Sequence, residues 1–165
     1  MNRKLILGFL IVCLGISMTA CKTPAPTGLT DQDQAAIRKV SEDGLRMLSA
    51  PEIDFEAFVK FYFIEDAMTL PSHEPAVQGR ACQIAWYKAY PPFELKEEIL
   101  EIDGRGDLAY ARVSFSLKVT VPGSTEPIVD TGKGIRILKK QKDGSWKVTR
   151  DIYNSDLPIS ARVNQ

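Results

Sequence analysis

The sequence predicts an α+β fold in which three N-terminal helices pack on a curved, mainly antiparallel sheet. Across residues 30–90, apolar side chains recur every three to four residues, which is the period of an amphipathic helix. Across residues 94–155 they recur at every second residue, which is the period of a strand with one buried face. Helices followed by a run of strands are typical of the α+β class. Long strands twist and curl, so helices packed in the concavity would leave a cone with an open mouth.

Three helices are predicted in the first half of the chain. The first begins at Thr30, where Asp33 stands three residues later as the acid of a capping box. The second begins at Asp54, its N-cap, and is closed by Asp66. The third covers roughly residues 78–90 and stops at two consecutive prolines, which cannot continue a helix.

Four strands are predicted after the helices, over residues 94–103, 109–121, 128–140 and 146–155. The second has seven apolar residues in strict alternation with polar ones, and an Asp-Gly pair marks a hairpin turn before the last. Continued alternation along the last strand would place five residues on the inner face of the sheet: Trp146, Val148, Arg150, Ile152 and Asn154. Arg150 and Asn154 would then project into the cone near its mouth.

The first twenty residues have the layout of a secretory signal. A short basic segment precedes an apolar run over residues 5–16, and mostly small residues follow. The segment Met18-Thr19-Ala20-Cys21 resembles the bacterial lipobox, so we expect Cys21 to be the mature N-terminus and to carry a membrane-anchoring lipid. An ordinary signal or an uncleaved anchor is the alternative. Because Lys22 follows, rather than the aspartate of inner-membrane lipoproteins, we expect the outer membrane, facing the periplasm, in a Gram-negative host.

Processing would leave one folded domain. We expect a lipoprotein signal peptide at 1–20, a tether at 21–29, the domain at 30–158 and a C-terminal tail at 159–165. Removal of the signal takes away Arg3 and Lys4, two of the 21 basic residues, and leaves all 21 acidic ones, so the net charge becomes about −2. Such a balance predicts no nucleic-acid partner. Cys82 would be the only free thiol, so we expect no internal disulfide, and we expect this thiol to be buried. With a single histidine, a zinc site of Cys and His ligands is not expected either.

Four segments of the chain resemble one known family. They are FYFIEDAMTLP at 61–71, VQGRACQIAWY at 77–87, DLAYARVSFSL at 107–117 and DTGKGIRILKKQKDGSWKVTRDIYNSDLP at 130–158. Together they resemble the SnoaL-like domain of unknown function in the nuclear transport factor 2-like superfamily, over about residues 30–158. The resemblance implies a conical α+β half-barrel with a pocket between the helices and the sheet.

The resemblance also implies which catalytic groups to look for. The superfamily includes ketosteroid isomerase, polyketide cyclases and an epoxide hydrolase, besides modules without chemistry that dimerise or bind partners. Aligned with the isomerase, this chain has Pro71 in place of the aspartate base, Gly44 near the tyrosine and Lys133 near the second acid. The epoxide hydrolase relay of Asp, Arg and Asp has an Arg-x-Asp pair on one strand, whereas Arg150 and Asp151 are adjacent here. These differences argue against both mechanisms.

We therefore assign no catalytic, metal or cofactor residues and propose seven candidates for the pocket. The candidates are Tyr62, Asp66, Trp86, Tyr90, Phe115, Arg150 and Asn154. Their aromatic members would floor a pocket for a small apolar ligand. Three functions stay open: a non-catalytic module that binds a small molecule or a protein, an enzyme of the isomerase, cyclase or hydrolase type that uses Asp66 and Arg150, and a scaffold that dimerises through the outer face of the sheet in an envelope complex.

Overall fold

The computed structural model describes residues 28–157 of the 165-residue chain. The helices are α1 (Asp31–Leu48), α2 (Phe55–Tyr62) and α3 (Arg80–Ala89). The strands are β1 (Phe63–Leu70), β2 (Val77–Gln78), β3 (Phe93–Arg105), β4 (Leu108–Val119), β5 (Ile128–Lys140) and β6 (Trp146–Ser155). The predicted signal peptide, Cys21, most of the tether and the C-terminal tail lie outside the described residues. Within residues 28–157, no helix has the length and apolar character needed to cross a membrane.

Three helices pack on a six-stranded, mostly antiparallel sheet. The strand order is β2-β1-β6-β5-β4-β3, and β1 and β6 are parallel neighbours. The four long strands β3 to β6 form the predicted antiparallel meander, in which each strand pairs with the next along the chain. The α+β prediction is confirmed at this level.

The strand pair β1 and β2 was not predicted, and it lies between α2 and α3. Helix α2 ends at Tyr62, and the backbone becomes extended at Phe63, with φ −107° and ψ 152°. Phe63 and Ala67 are fully buried, and β1 pairs with both β2 and β6. The prediction that Asp66 closes the second helix is therefore wrong, because this segment hydrogen-bonds as a strand. The three helices do not all precede the sheet.

The start of α1 ties the helical layer to the sheet. Thr30 and Asp33 form the predicted capping box: the Asp33 N–H donates to Thr30 Oγ1 at 3.1 Å, and the Thr30 N–H donates to Asp33 Oδ2 at 3.3 Å. Asp33 Oδ1 accepts from Lys140 Nζ on β5 at 2.7 Å and from Trp146 Nε1 on β6 at 3.2 Å. We call Thr30, Asp33, Lys140 and Trp146 the capping cluster. Because Trp146 is only 1% exposed, it joins this cluster to the core.

A β-bulge interrupts the alternation of β6. Val148 pairs with Leu138 of β5, whereas Arg150 pairs with Ile137, so Thr149 is an extra residue without a partner in the ladder. An extra residue exchanges the two faces of a strand for every residue beyond it. Strand β3 carries a similar irregularity at Leu100.

The bulge overturns the predicted faces of the last strand. Trp146 and Val148 face the core as expected, but beyond Thr149 the inner face carries Asp151 and Tyr153. Arg150, Ile152 and Asn154 therefore lie on the outer face, and the prediction that Arg150 and Asn154 point into the cone is wrong. The prediction assumed uninterrupted alternation and therefore did not account for the extra residue at Thr149.

Candidate functional site

A cavity of about 100 Å³ lies between the helices and the inner face of the sheet. The helices and Tyr90, the residue after α3, contribute five aromatic side chains to its wall, the other four being Phe58, Tyr62, Trp86 and Tyr87. The strands contribute three more, namely Phe93, Phe115 and Tyr153. Leucine and valine side chains fill much of the remaining wall, so the cavity is mainly apolar and aromatic.

Two glycines make room for the aromatic wall. A Cβ at Gly44 on α1 would lie 2.7 Å from the ring of Tyr62. A Cβ at Gly132 on β5 would lie 2.3 Å from the ring of Phe115. These distances are shorter than any ordinary contact, so a side chain at either position would push an aromatic ring into the cavity.

Of the seven candidate pocket residues, the four aromatic ones lie on the cavity wall. They are Tyr62, Trp86, Tyr90 and Phe115. The indole of Trp86 is held in place because its Nε1 donates to Glu74 at 2.8 Å, in the loop between β1 and β2. The same loop is tied to β6 by Ser72, whose hydroxyl donates to the carbonyl of Tyr153 at 3.0 Å.

The three polar candidates do not line the cavity. Asp66 is exposed on β1, one residue after the Glu65 that forms an ion pair with Arg80. Arg150 turns back on the bulge, where its Nη1 donates to the carbonyl of Thr149 at 2.6 Å. Asn154 is exposed on the outer face. The structure therefore does not bring these three side chains together in the cavity.

Three other charged side chains form a cluster in the cavity wall. Arg136 on β5 donates through Nη1 and Nη2 to both carboxylate oxygens of Glu97 on β3. Its Nε donates to Asp151 Oδ1 on β6 at 3.3 Å. The side chains are 11% exposed for Arg136, 2% for Glu97 and 8% for Asp151, so the ions are largely shielded from water. We call Glu97, Arg136 and Asp151 the ionic cluster.

Burial dominates the electrostatics of this wall. It raises the pKa of Asp151, and the neighbouring Glu97 adds to this effect, while Arg136 opposes it. Burial likewise raises the pKa of Tyr62, Tyr87 and Tyr153. The phenols therefore stay neutral at physiological pH, while Asp151 ionises at a higher pH than an ordinary aspartate.

Several polar atoms of the cavity wall have no hydrogen-bond partner among the described residues. Asp151 accepts a single hydrogen bond from the described residues, through Oδ1, and its Oδ2 has no protein donor there. The hydroxyls of Tyr87, Tyr90 and Tyr153 make no hydrogen bond to another residue between 28 and 157. Polar groups that line a cavity without a protein partner are available to hydrogen-bond a ligand.

Known structures share this architecture. No family model and no curated protein sequence matches the chain. A nuclear transport factor 2-like protein with a cystatin-like fold, from Novosphingobium aromaticivorans, superposes with a TM-score of 0.64 at 18% identity, over 80% of this chain and 88% of that one. The chain has the nuclear transport factor 2-like fold.

Other structures with this fold carry different descriptions. A ketosteroid isomerase-like protein from Erwinia carotovora atroseptica has a TM-score of 0.62 at 19% identity, over 76% of this chain and 94% of that one. A type 2 hexachlorocyclohexane dehydrochlorinase has a TM-score of 0.66 at 13% identity, over 76% and 86%. At such identities the likeness shows the nuclear transport factor 2-like fold alone, which is the fold that the resemblance to a SnoaL-like domain implies.

The three positions that the resemblance singled out carry no acid or phenol and do not form a catalytic group. Pro71 is buried at the end of β1, and Gly44 stands against Tyr62. Lys133 is exposed on the outer face, where it forms an ion pair with Asp156.

Cys82 is exposed on α3, so the prediction of a buried thiol is wrong.

Sequence reasoning missed all three members of the ionic cluster as site residues. Glu97 had a detectable signal, because it continues the alternation of Phe93 and Leu95 on the inner face of β3. Arg136 had no such signal, because its apolar neighbour Ile135 lies on the outer face and is 44% exposed. Asp151 was hidden by the bulge at Thr149.

The geometry limits what the cavity can do chemically. A carboxylate with one open oxygen can accept a hydrogen bond, hold a cation or take up a proton. The neighbouring phenols can donate hydrogen bonds to an oxygen of a ligand. Within residues 28–157, no group of three or more His, Cys, Asp and Glu side chains has the arrangement of a metal site.

Proposed function

We propose that the protein is a lipid-anchored component of the bacterial cell envelope whose cavity binds a small, mainly apolar molecule. The observation that carries the proposal is the aromatic cavity, in which the open Oδ2 of Asp151 and three tyrosine hydroxyls can orient a ligand. Ligand sites are typically apolar with a few polar groups that fix orientation. The lipobox-like segment that ends at Cys21 supports the anchor.

The cavity size supports a ligand built around one ring. Its volume is about 100 Å³. An apolar cavity of roughly 150 Å³ holds a benzene molecule. Because this cavity is smaller, it has room for at most one ring, and any further part of the ligand would extend through the mouth.

Native mass spectrometry of the protein purified from its own host tests the binding function. We expect a co-purifying small molecule in the wild type. Leu117 lines the cavity and Ser116 faces the opposite side of β4. Leu117→Trp should displace the molecule by filling its space, whereas Ser116→Trp places the same indole outside and should retain it. A bound mass that survives Leu117→Trp in the folded protein would contradict the proposal.

Metabolic labelling with a fatty-acid probe tests the anchor separately. The wild type should incorporate the probe, and Cys21→Ser should not. Equal labelling of the two proteins would show that the lipid, if any, is attached elsewhere.

One observation favours a second function, proton-transfer catalysis. Asp151 combines an open carboxylate oxygen, a raised pKa caused chiefly by burial, and neighbouring phenols that could donate to a developing oxyanion. It replaces Asp66 and Arg150, which lie outside the cavity, as the candidate catalytic residue. Turnover of an enone, an epoxide or a halogenated ring that is lost in Asp151→Asn and kept in Asp66→Asn would establish this function.

A further inference from the structure

The cavity wall holds two carboxylates and one cation. Its lining residues include three charged side chains, those of the ionic cluster. Arg136 is shared between Glu97, which it contacts through both Nη atoms, and Asp151, which it contacts through Nε alone, so the fully ionised cluster has a net charge of −1. A charge that is largely removed from water is unfavourable without a partner. Among the described residues, no second basic side chain lines the cavity to supply one.

The surroundings of Asp151 also favour a positive charge. Aromatic ring faces attract cations, and eight aromatic side chains line the cavity. One such contact already exists, since the guanidinium carbon of Arg136 lies 5.6 Å from the ring centre of Tyr62. Within residues 28–157, no cation lies over the rings of Trp86, Tyr87 and Tyr153, which form part of the same wall.

We propose that the cavity selects a small aromatic or alicyclic amine in its ammonium form, with Oδ2 of Asp151 accepting a hydrogen bond from the ammonium group. The proposal rests on the binding function above and adds the chemical class of the ligand. The ring of the amine fills the apolar cavity, while the ammonium group supplies the missing positive charge. Asp151 is 6% exposed, so the ion pair forms away from bulk water, where a charge-assisted hydrogen bond is strong.

The pH dependence of binding follows from the groups around Asp151. They are Arg136 on β5, Glu97 on β3, Tyr62 on α2, Tyr87 on α3 and Tyr153 on β6 itself. The pKa of Asp151 is raised chiefly by burial, so the empty site gains its negative charge as the pH rises through that raised pKa. Affinity for an ammonium ion should increase over the same range. A neutral molecule of the same shape should gain no affinity.

Benzylamine and benzyl alcohol provide the matched pair of probes. They differ in one heavy atom and in charge, because benzylamine is protonated between about pH 5 and pH 8. Binding is measured by equilibrium dialysis with the full chain in maltoside micelles, against protein-free micelles that correct for partitioning. We expect benzylamine to bind at least about tenfold more tightly than benzyl alcohol at pH 7. Asp151→Asn should bring the ratio close to one, and Asp66→Asn, the same change at an exposed carboxylate outside the cavity, should leave it unchanged.

Each other outcome overturns the proposal in a distinguishable way. Equal or tighter binding of benzyl alcohol, or an ammonium affinity that falls with rising pH, would show a neutral-ligand site and leave the binding function intact. Absence of binding by both probes would reject the amine class, and a co-purifying mass lost in Leu117→Trp would still uphold the binding function. If Asp151→Asn does not fold, the pH dependence of benzylamine binding to the wild type tests the proposal.

Discussion

Two buried aspartates of the same domain have opposite surroundings. Asp33 of the capping cluster accepts four hydrogen bonds: from the Thr30 amide and hydroxyl, from Lys140 and from Trp146. Asp151 of the ionic cluster accepts one, from Arg136. The hydrogen bond from Lys140 is the largest of the effects that lower the pKa of Asp33, whereas burial raises the pKa of Asp151. A carboxylate with every lone pair engaged serves the fold, and one with an open oxygen beside a cavity is available to a ligand.

The largest expected effect is the loss of the Trp146 side chain. Trp146 is 1% exposed and packs in the core, so Trp146→Ala should lower the free energy of unfolding by about 3–5 kcal/mol. Phe115 faces the cavity and is only partly buried, so Phe115→Ala should cost less than about 3 kcal/mol. Urea unfolding at neutral pH measures both. Equal losses would mean that the cavity wall is packed as tightly as the capping cluster, which would contradict the contrast between them.

Removal of the Arg136 guanidinium should have an effect of similar size. Arg136→Met leaves Glu97 and Asp151 buried without a counter-ion, which should cost about 3–5 kcal/mol at neutral pH. The loss should shrink in acid, because Asp151, whose pKa is raised chiefly by burial, then takes up a proton. Arg112→Met is the control, since Arg112 pairs with Glu101 on the exposed face and should contribute about 0–1 kcal/mol. A similar cost for the two variants would show that water screens the ionic cluster.

The elements of the fold could be predicted from the sequence because their signals are local. The capping box of Thr30 and Asp33, the two prolines after α3 and the alternation of β4 each act within a few residues. Strand β1 could not be predicted in this way. The sequence of this segment predicts a continuation of α2. It forms a strand because it pairs with β6, more than 80 residues later.

Half of the aromatic wall could also be predicted, namely Tyr62, Trp86, Tyr90 and Phe115, whereas Tyr153 and the charged part could not. Aromatic residues on apolar faces line the cavity wherever the face is assigned correctly, as with Phe115. One extra residue at Thr149 exchanges the faces of β6 and places Asp151 inside instead of Arg150. On β5 the inner face carries Gly132, Arg136 and the buried Leu138 while Ile135 lies outside, so the apolar neighbour of Arg136 indicates the wrong side. A register shift set by tertiary packing decided the first case, and the burial of an ion pair decided the second.

The capping cluster should give the protein acid sensitivity. The lowered pKa of Asp33 means that its contribution to stability is complete above the unfolded-state pKa, near about 4, and is lost as the pH falls. Asp33→Asn should therefore be less stable than the wild type at pH 7, with a gap that narrows in acid. Thermal unfolding between about pH 3 and pH 7 measures the gap. A gap independent of pH would show that hydrogen-bond geometry, rather than charge, holds the cluster together.

Asp151→Asn should show the opposite dependence on pH, with the smallest effect of the series. Because burial raises its folded-state pKa, Asp151 favours the folded state fully below the unfolded-state pKa, near about 4, and this contribution is lost as the pH rises through the raised value. An uncharged asparagine avoids the cost of a buried carboxylate, and Arg136 keeps Glu97 as its partner. The variant should therefore equal or exceed the wild type in stability at pH 7 and fall behind it in acid.

The pH dependence of stability in Asp151→Asn, compared with that of the wild type, shows whether Asp151 supports the fold or is available to a ligand. Asp66→Asn serves as the control, because Asp66 is exposed on β1 and its change should stay within about 0.5 kcal/mol at every pH. If Asp151→Asn instead destabilises the protein most at pH 7, as expected for Asp33→Asn, then Asp151 is a structural acid and the cavity proposals lose their carboxylate. If the variant gains stability while losing affinity for benzylamine, the fold retains at this position a charge that it does not need for folding. Natural proteins accept such a cost where a ligand supplies the missing partner.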